Sequence, residues 1–116
     1  MRIIAQEHRI EVELSPYDVA LFSNALNEVC HGLRIPEFEL LIGAPRSEVG
    51  ELFDKVRTLG TEKPERITAT RKELSILQSA IRETLRRLRS TEFPIRTGVP
   101  FAFGEEVLRE LNAYLG

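Results

Sequence analysis

Hydrophobic and polar positions alternate at the start of the chain, with Ile4, Gln6, His8, Ile10, Val12 and Leu14 on one side and Ala5, Glu7, Arg9, Glu11 and Glu13 on the other. A period of two predicts one half-buried strand. The spacing then changes to three and four. Val19, Phe22, Leu26, Val29 or Cys30, and Leu33 form a stripe that predicts an amphipathic helix over 16–33. Ser15 and Asp18 frame its start as a capping box, with Pro16 at the first helical position, where a missing amide costs nothing.

The same succession returns 55 residues later. ERITAT at 65–70 reads as a short strand with Ile67 and Ala69 inward. Thr70 and Glu73 repeat the capping box, and Leu74, Leu77, Ile81, Leu85 and Leu88 predict a helix over 71–89. Each long helix is followed by a phrase of the form Glu-Phe, four residues, Gly, any residue, Pro: EFELLIGAP at 37–45 and EFPIRTGVP at 92–100. The phrases predict second strands over 36–42 and 91–97, each ended by a glycine turn. Last helices follow over 46–59 and 103–115, with the copies drifting apart there by about two residues.

Aligned at this offset, positions 12–45 and 67–100 share eight identities: Ala25/Ala80, Glu28/Glu83, Leu33/Leu88, Arg34/Arg89, Glu37/Glu92, Phe38/Phe93, Gly43/Gly98 and Pro45/Pro100. Chance would give about two. Such internal similarity predicts an α/β fold: a single compact domain, 1–116, built from two tandem strand-helix-strand-helix repeats, 1–60 and 61–116. A pseudo-twofold axis would relate the repeats, giving about four strands and four helices. Leu21 and Ile76 lie off the main helical stripes in both copies, so a second apolar contact is expected, between repeats or between subunits.

Length and composition add that 116 residues suffice to bury a core without disulfides or metals. The net charge of −2 divides unevenly, with 6 basic against 10 acidic residues in 1–60 and 10 against 8 in 61–116. A single cysteine and a charged, alternating N-terminus predict a cytoplasmic protein, and no apolar run approaches the ~20 residues of a membrane span.

Candidate chemistry is sparse. Glu37 and Glu92 would form a carboxylate pair if the pseudo-twofold brought them together, with Arg46 and Arg96 completing a small-molecule cleft. Read structurally, the carboxylates face solvent or bond locally while Phe38 and Phe93 anchor the core, which is the favoured reading. Cys30 and His31 are neighbours, but adjacent helical side chains diverge by about 100°, and their counterparts Leu85 and Arg86 suggest a buried thiol and a surface histidine. His8 reads as a satisfied strand histidine. No cysteine, histidine or acidic spacing suggests a catalytic group, a metal or another cofactor.

The strongest charge feature is the stripe Arg82, Arg86 and Arg89 in IRETLRRLR, with Arg87 beside it. It could meet phosphate or an acidic protein; the acidic pI and the lack of interleaved aromatics disfavour nucleic acid.

The stretch NALNEVCHGLRIPEFELLIGAPRSEV, residues 24–49, resembles segments of small uncharacterised bacterial proteins of the immunity-protein type. That resemblance implies a toxin-neutralising protein that acts by binding, and carries over no functional residue. The expectation is a non-enzymatic protein-binding domain, toxin-neutralising or regulatory. Its partner would be a protein, a toxin or a second copy in a homodimer, met through Arg82, Arg86, Arg89, Leu21 and Ile76. The alternatives are a small-molecule binding domain or small enzyme with its cleft on the pseudo-twofold and, less favoured, nucleic-acid binding.

Overall fold

In a computed structural model that describes residues 1–6 and 9–116, the N-terminal alternation is two strands. β1 (Arg2–Gln6) and β2 (Arg9–Leu14) pair antiparallel, with Gln6 opposite Arg9. Reversal after Gln6 inverts the phase of the alternation, so Ile4 lies opposite Glu11 while Ile3 lies opposite Val12. A continuous strand would have placed Ile4 and Val12 on one face. The expectation for His8 lies outside the described residues.

β2 also pairs antiparallel with β3 (Glu65–Ala69), giving a three-stranded sheet of order β1-β2-β3. Its inner face buries Val12, Leu14, Ile67 and Ala69. Its outer face is a charge lattice in which Arg66 pairs with Glu13 and lies 3.8 Å from Glu11, while Arg9 lies 3.4 Å from Glu11.

Among the described residues there are also six α-helices: α1 (Pro16–Asn27), α2 (Phe38–Ile42), α3 (Arg46–Arg57), α4 (Arg71–Arg87), α5 (Phe93–Thr97) and α6 (Phe101–Leu115). Both capping boxes form. Ser15 Oγ accepts from Asp18 N at 3.1 Å and Thr70 Oγ1 from Glu73 N at 3.0 Å, and each acidic side chain returns to its cap amide. α1 continues as a single π-helical turn, Glu28–Gly32, closed by Leu33 N donating to Glu28 O at 2.6 Å.

The predicted first strand is the β1–β2 pair and the predicted second strands are the helices α2 and α5, so the described residues form three strands rather than four. The burial of α2 and α5 follows the helical period. Phe38 and Ile42, then Phe93 and Thr97, are buried at i and i+4, whereas the intervening Leu40 and Ile95 are 76% and 83% exposed. A strand would have put all three on one face. Pro94, in the first turn of α5, loses no bond there but would have broken a ladder. Gly43 and Gly98 end these helices at φ 89° and 79°, a conformation that favours glycine.

The offset of 55 residues holds through the last helices, against the expected drift. Val49, Leu52 and Val56 are the buried positions of α3, and Gly104, Val107 and Leu111 are those of α6. Gly104 stands where Val49 does because the ring of Phe93 fills the space: an added Cβ would lie 2.6 Å from Phe93 Cζ. The ladder has the same spacing. Val12 pairs directly with Ile67, its counterpart at that offset, so the local twofold of the antiparallel pair passes through equivalent residues.

Each half also sends its short helix to the other. α2 packs on α4, and α5 packs on α1. Leu21 and Ile76 are both enclosed in the core. α1 packs on β2, α3 and α4, which accounts for an apolar surface wider than one stripe.

Candidate functional site

The carboxylates of Glu28 and Glu83 occupy equivalent positions on the two long helices, and both are buried. Burial of a charge requires compensation, and the halves supply it differently. Glu83 is compensated from its own helix: Arg87 Nε donates to Oε1 at 3.1 Å, Arg82 Nε to Oε2 at 3.3 Å, and Arg86 Nη1 lies 3.7 Å from Oε2. Glu28 is compensated across the molecule by Arg96 of α5, whose guanidinium forms an ion pair with Oε1 without hydrogen-bond geometry. Gly32 makes room, since a Cβ there would collide with the Glu28 carboxylate and come within 2.8 Å of Arg96 Nη2. The counterpart of Gly32 is Arg87, and that of Arg96 is Leu41.

The result is an uneven charge distribution. Three arginines converge on the single carboxylate of Glu83, leaving a surplus of positive charge on the outer side of α4. Beside it runs a groove of about 460 Å³ between α4 and α6. Arg82 and Arg86 stand on one wall and Arg109 on the other, over a floor of Leu85, Phe101 and Leu108. Glu105 and Asn112 complete the α6 side. Arg82 is braced by a 2.9 Å bond from Nη2 to Leu41 O, and Phe101 by an edge-on contact with Phe93 at 5.4 Å.

The corresponding surface of the first half differs at all eight of these positions: Asn27, Cys30, His31, Arg46, Gly50, Phe53, Asp54 and Arg57. Its arginines are seated on aromatic rings. Arg46 stacks 4.2 Å from the centre of Phe38 and donates to Cys30 O at 2.7 Å, while Arg57 lies 5.7 Å from Phe53 and bonds Asp54. Arg46 over Phe38 thus stands where Phe101 meets Phe93.

Of the partner-binding residues read from the sequence, Arg82 and Arg86 line the groove. Arg89 is exposed and pairs with Glu92 at 3.5 Å. Leu21 and Ile76 are internal and present no surface for a partner. Arg109, Phe101, Leu85 and Leu108 were missed as site residues. Leu85 and Leu108 read as core positions because helical spacing does not distinguish a core stripe from a groove floor, and Arg109 had no neighbours in sequence to mark it.

The four residues of the suggested cleft each have their own surroundings. Glu37 is exposed at φ 50° in the left-handed region, Glu92 accepts from Arg89 N at 3.2 Å, Arg46 lies on Phe38, and Arg96 pairs with Glu28. Neither Glu37 nor Glu92 lines the α4/α6 groove. Burial raises the pKa of the Cys30 thiol, opposed in part by the Arg46 charge.

Among the described residues, no cluster of three or more His, Cys, Asp or Glu is placed to hold a metal, and no helix is long and apolar enough to cross a membrane. No protein-family model, curated protein or solved structure matches the chain.

Proposed function

We propose that the chain is a non-enzymatic protein-binding domain, toxin-neutralising or regulatory, that takes an acidic partner on the α4/α6 groove. The observation that carries this reading is the arginine surplus around Glu83 beside an apolar floor. Three guanidiniums share one buried carboxylate, so the cluster lacks counter-charge that an anionic partner would supply. Leu85, Phe101 and Leu108 add desolvation, which bare electrostatics lacks.

We also read the two halves as copies of one unit. Coincident buried positions, paired capping boxes and the Val12–Ile67 pairing support that reading. The groove then marks where one copy has specialised, and the expected stoichiometry is one partner per chain.

The test is capture from lysate of the source cell on immobilised chain, comparing wild type with the double variant R86E/R109E. Both arginine side chains are 68% exposed, so the fold should survive the change. An acidic protein held by wild type and lost by the variant supports the reading. Identical captured sets would remove it, and retention of nucleic acid alone would replace it.

A further inference from the structure

The dimensions and chemistry of the groove define its occupant more narrowly than an acidic protein. Its α6 wall runs from Phe101 to Asn112, three helical turns or about 17 Å. Arg82, Leu85 and Arg86 repeat at i, i+3 and i+4 on α4, while Phe101, Leu108 and Arg109 lie along one side of α6. An apolar floor is therefore bordered by Arg82 and Arg86 over one turn of α4, while the longer α6 wall carries Glu105 and Arg109, the latter paired with Glu106.

We infer that the groove receives an amphipathic α-helix of about three turns, with an apolar stripe on Leu85, Phe101 and Leu108 and flanking carboxylates that meet Arg82 and Arg86 and exchange with Glu106 at Arg109. This inference rests on the protein-binding reading above. The walls and floor are supported from below, since Arg82 is tied to Leu41 O and Phe101 is set against Phe93. An extended strand would need unpaired backbone groups to bond with, and α4 and α6 offer none along their middles, where each amide and carbonyl is spent within its own helix. A single-stranded nucleic acid would need exposed aromatic faces for stacking; Phe101 is half-buried with its ring against Phe93.

Three fluorescein-labelled probes titrated into the intact chain decide the matter by anisotropy. The first is a designed helical peptide with leucines on one stripe and glutamates beside it, the second a scramble of equal composition, and the third a single-stranded oligonucleotide. The helical peptide should bind at least tenfold more tightly than the scramble and gain helix signal in circular dichroism on binding. R86E/R109E should weaken it at least tenfold, and R86Q/R109Q by less, with folding of both variants checked by their melting curves.

Equal binding of helix and scramble would overturn the helix inference while leaving an acidic-partner surface standing. Undiminished helix binding by R86E/R109E would overturn the groove as the site. Preference for the oligonucleotide would overturn the inference and the protein-binding reading together. Failure of both peptides to bind would overturn the helix inference alone, because the lysate capture decides the broader reading independently.

Discussion

Arg96→Leu tests the division of labour between the halves, because leucine is what the chain itself places at the counterpart, Leu41. In the wild type the Glu28 side chain is 8% exposed and Arg96 is its cation. Removing one partner of a fully buried pair costs about 3–5 kcal/mol. Arg96 is 37% exposed, so solvent already screens part of the attraction, and a loss of about 2–3 kcal/mol is expected. For a domain of this size that lowers Tm by about 8–15 °C.

The cost comes from a stranded carboxylate rather than from the arginine, and a double-mutant cycle separates the two. Glu28→Gln alone should lose about 1 kcal/mol, because a neutral amide needs no counter-charge and Arg96 retains water. Glu28→Leu with Arg96→Leu should come within about 1 kcal/mol of wild type, since both polar partners have gone. Urea denaturation followed by circular dichroism supplies each value. If Arg96→Leu unfolds at the wild-type midpoint, or if E28L/R96L is less stable than R96L, the ion pair is not what compensates Glu28.

Gly104→Ala should lose about 1–3 kcal/mol despite alanine's better helix propensity, because the methyl group would lie 2.6 Å from Phe93 Cζ and 3.2 Å from Leu85 Cδ2; a denaturation midpoint equal to or above wild type would contradict that packing. Thr70→Ala removes the side-chain acceptor for Glu73 N and should lower stability by about 1 kcal/mol by the same measurement. Lys55 Nζ donates to Thr68 O at 2.8 Å on the unpaired side of β3, so Lys55→Met should promote concentration-dependent self-association in light scattering, which unchanged mass at all concentrations would refute. The raised Cys30 pKa leaves less thiolate at neutral pH than a free thiol has, so disulfide exchange with Cys30 should be slow at pH 7 and should accelerate only at higher pH than it does for a free thiol; a rate matching a free thiol at pH 7 would refute the burial effect.

The sequence determined the elements whose signals are local. Capping boxes at Ser15 and Thr70, apolar spacing through α1 and α4, and the start of α3 after Pro45 were all legible, because each depends on a few neighbouring residues, whereas α6 begins at Phe101, two residues before its expected start. It also located the arginine stripe. Two misreadings had local remedies: Pro94 argued against a strand over 91–97, though Phe38, Leu40 and Ile42 fit a strand as well as a helix, and the length of the N-terminal alternation favoured two strands over one.

Tertiary structure alone decided which side chains share an environment. Leu21 and Ile76 showed extra apolar width, but only packing placed it inside the molecule. Glu28 and Glu83 were visible as an identity, and Arg86 and Arg87 stand at helical spacing from Glu83, yet nothing in the sequence revealed that Glu28 takes its cation from α5. Periodicity identifies a helix face; what covers that face is set by contacts between residues far apart in the chain. The α4/α6 groove is of this second kind, because Arg86 and Arg109 become neighbours across it only when the two helices pack.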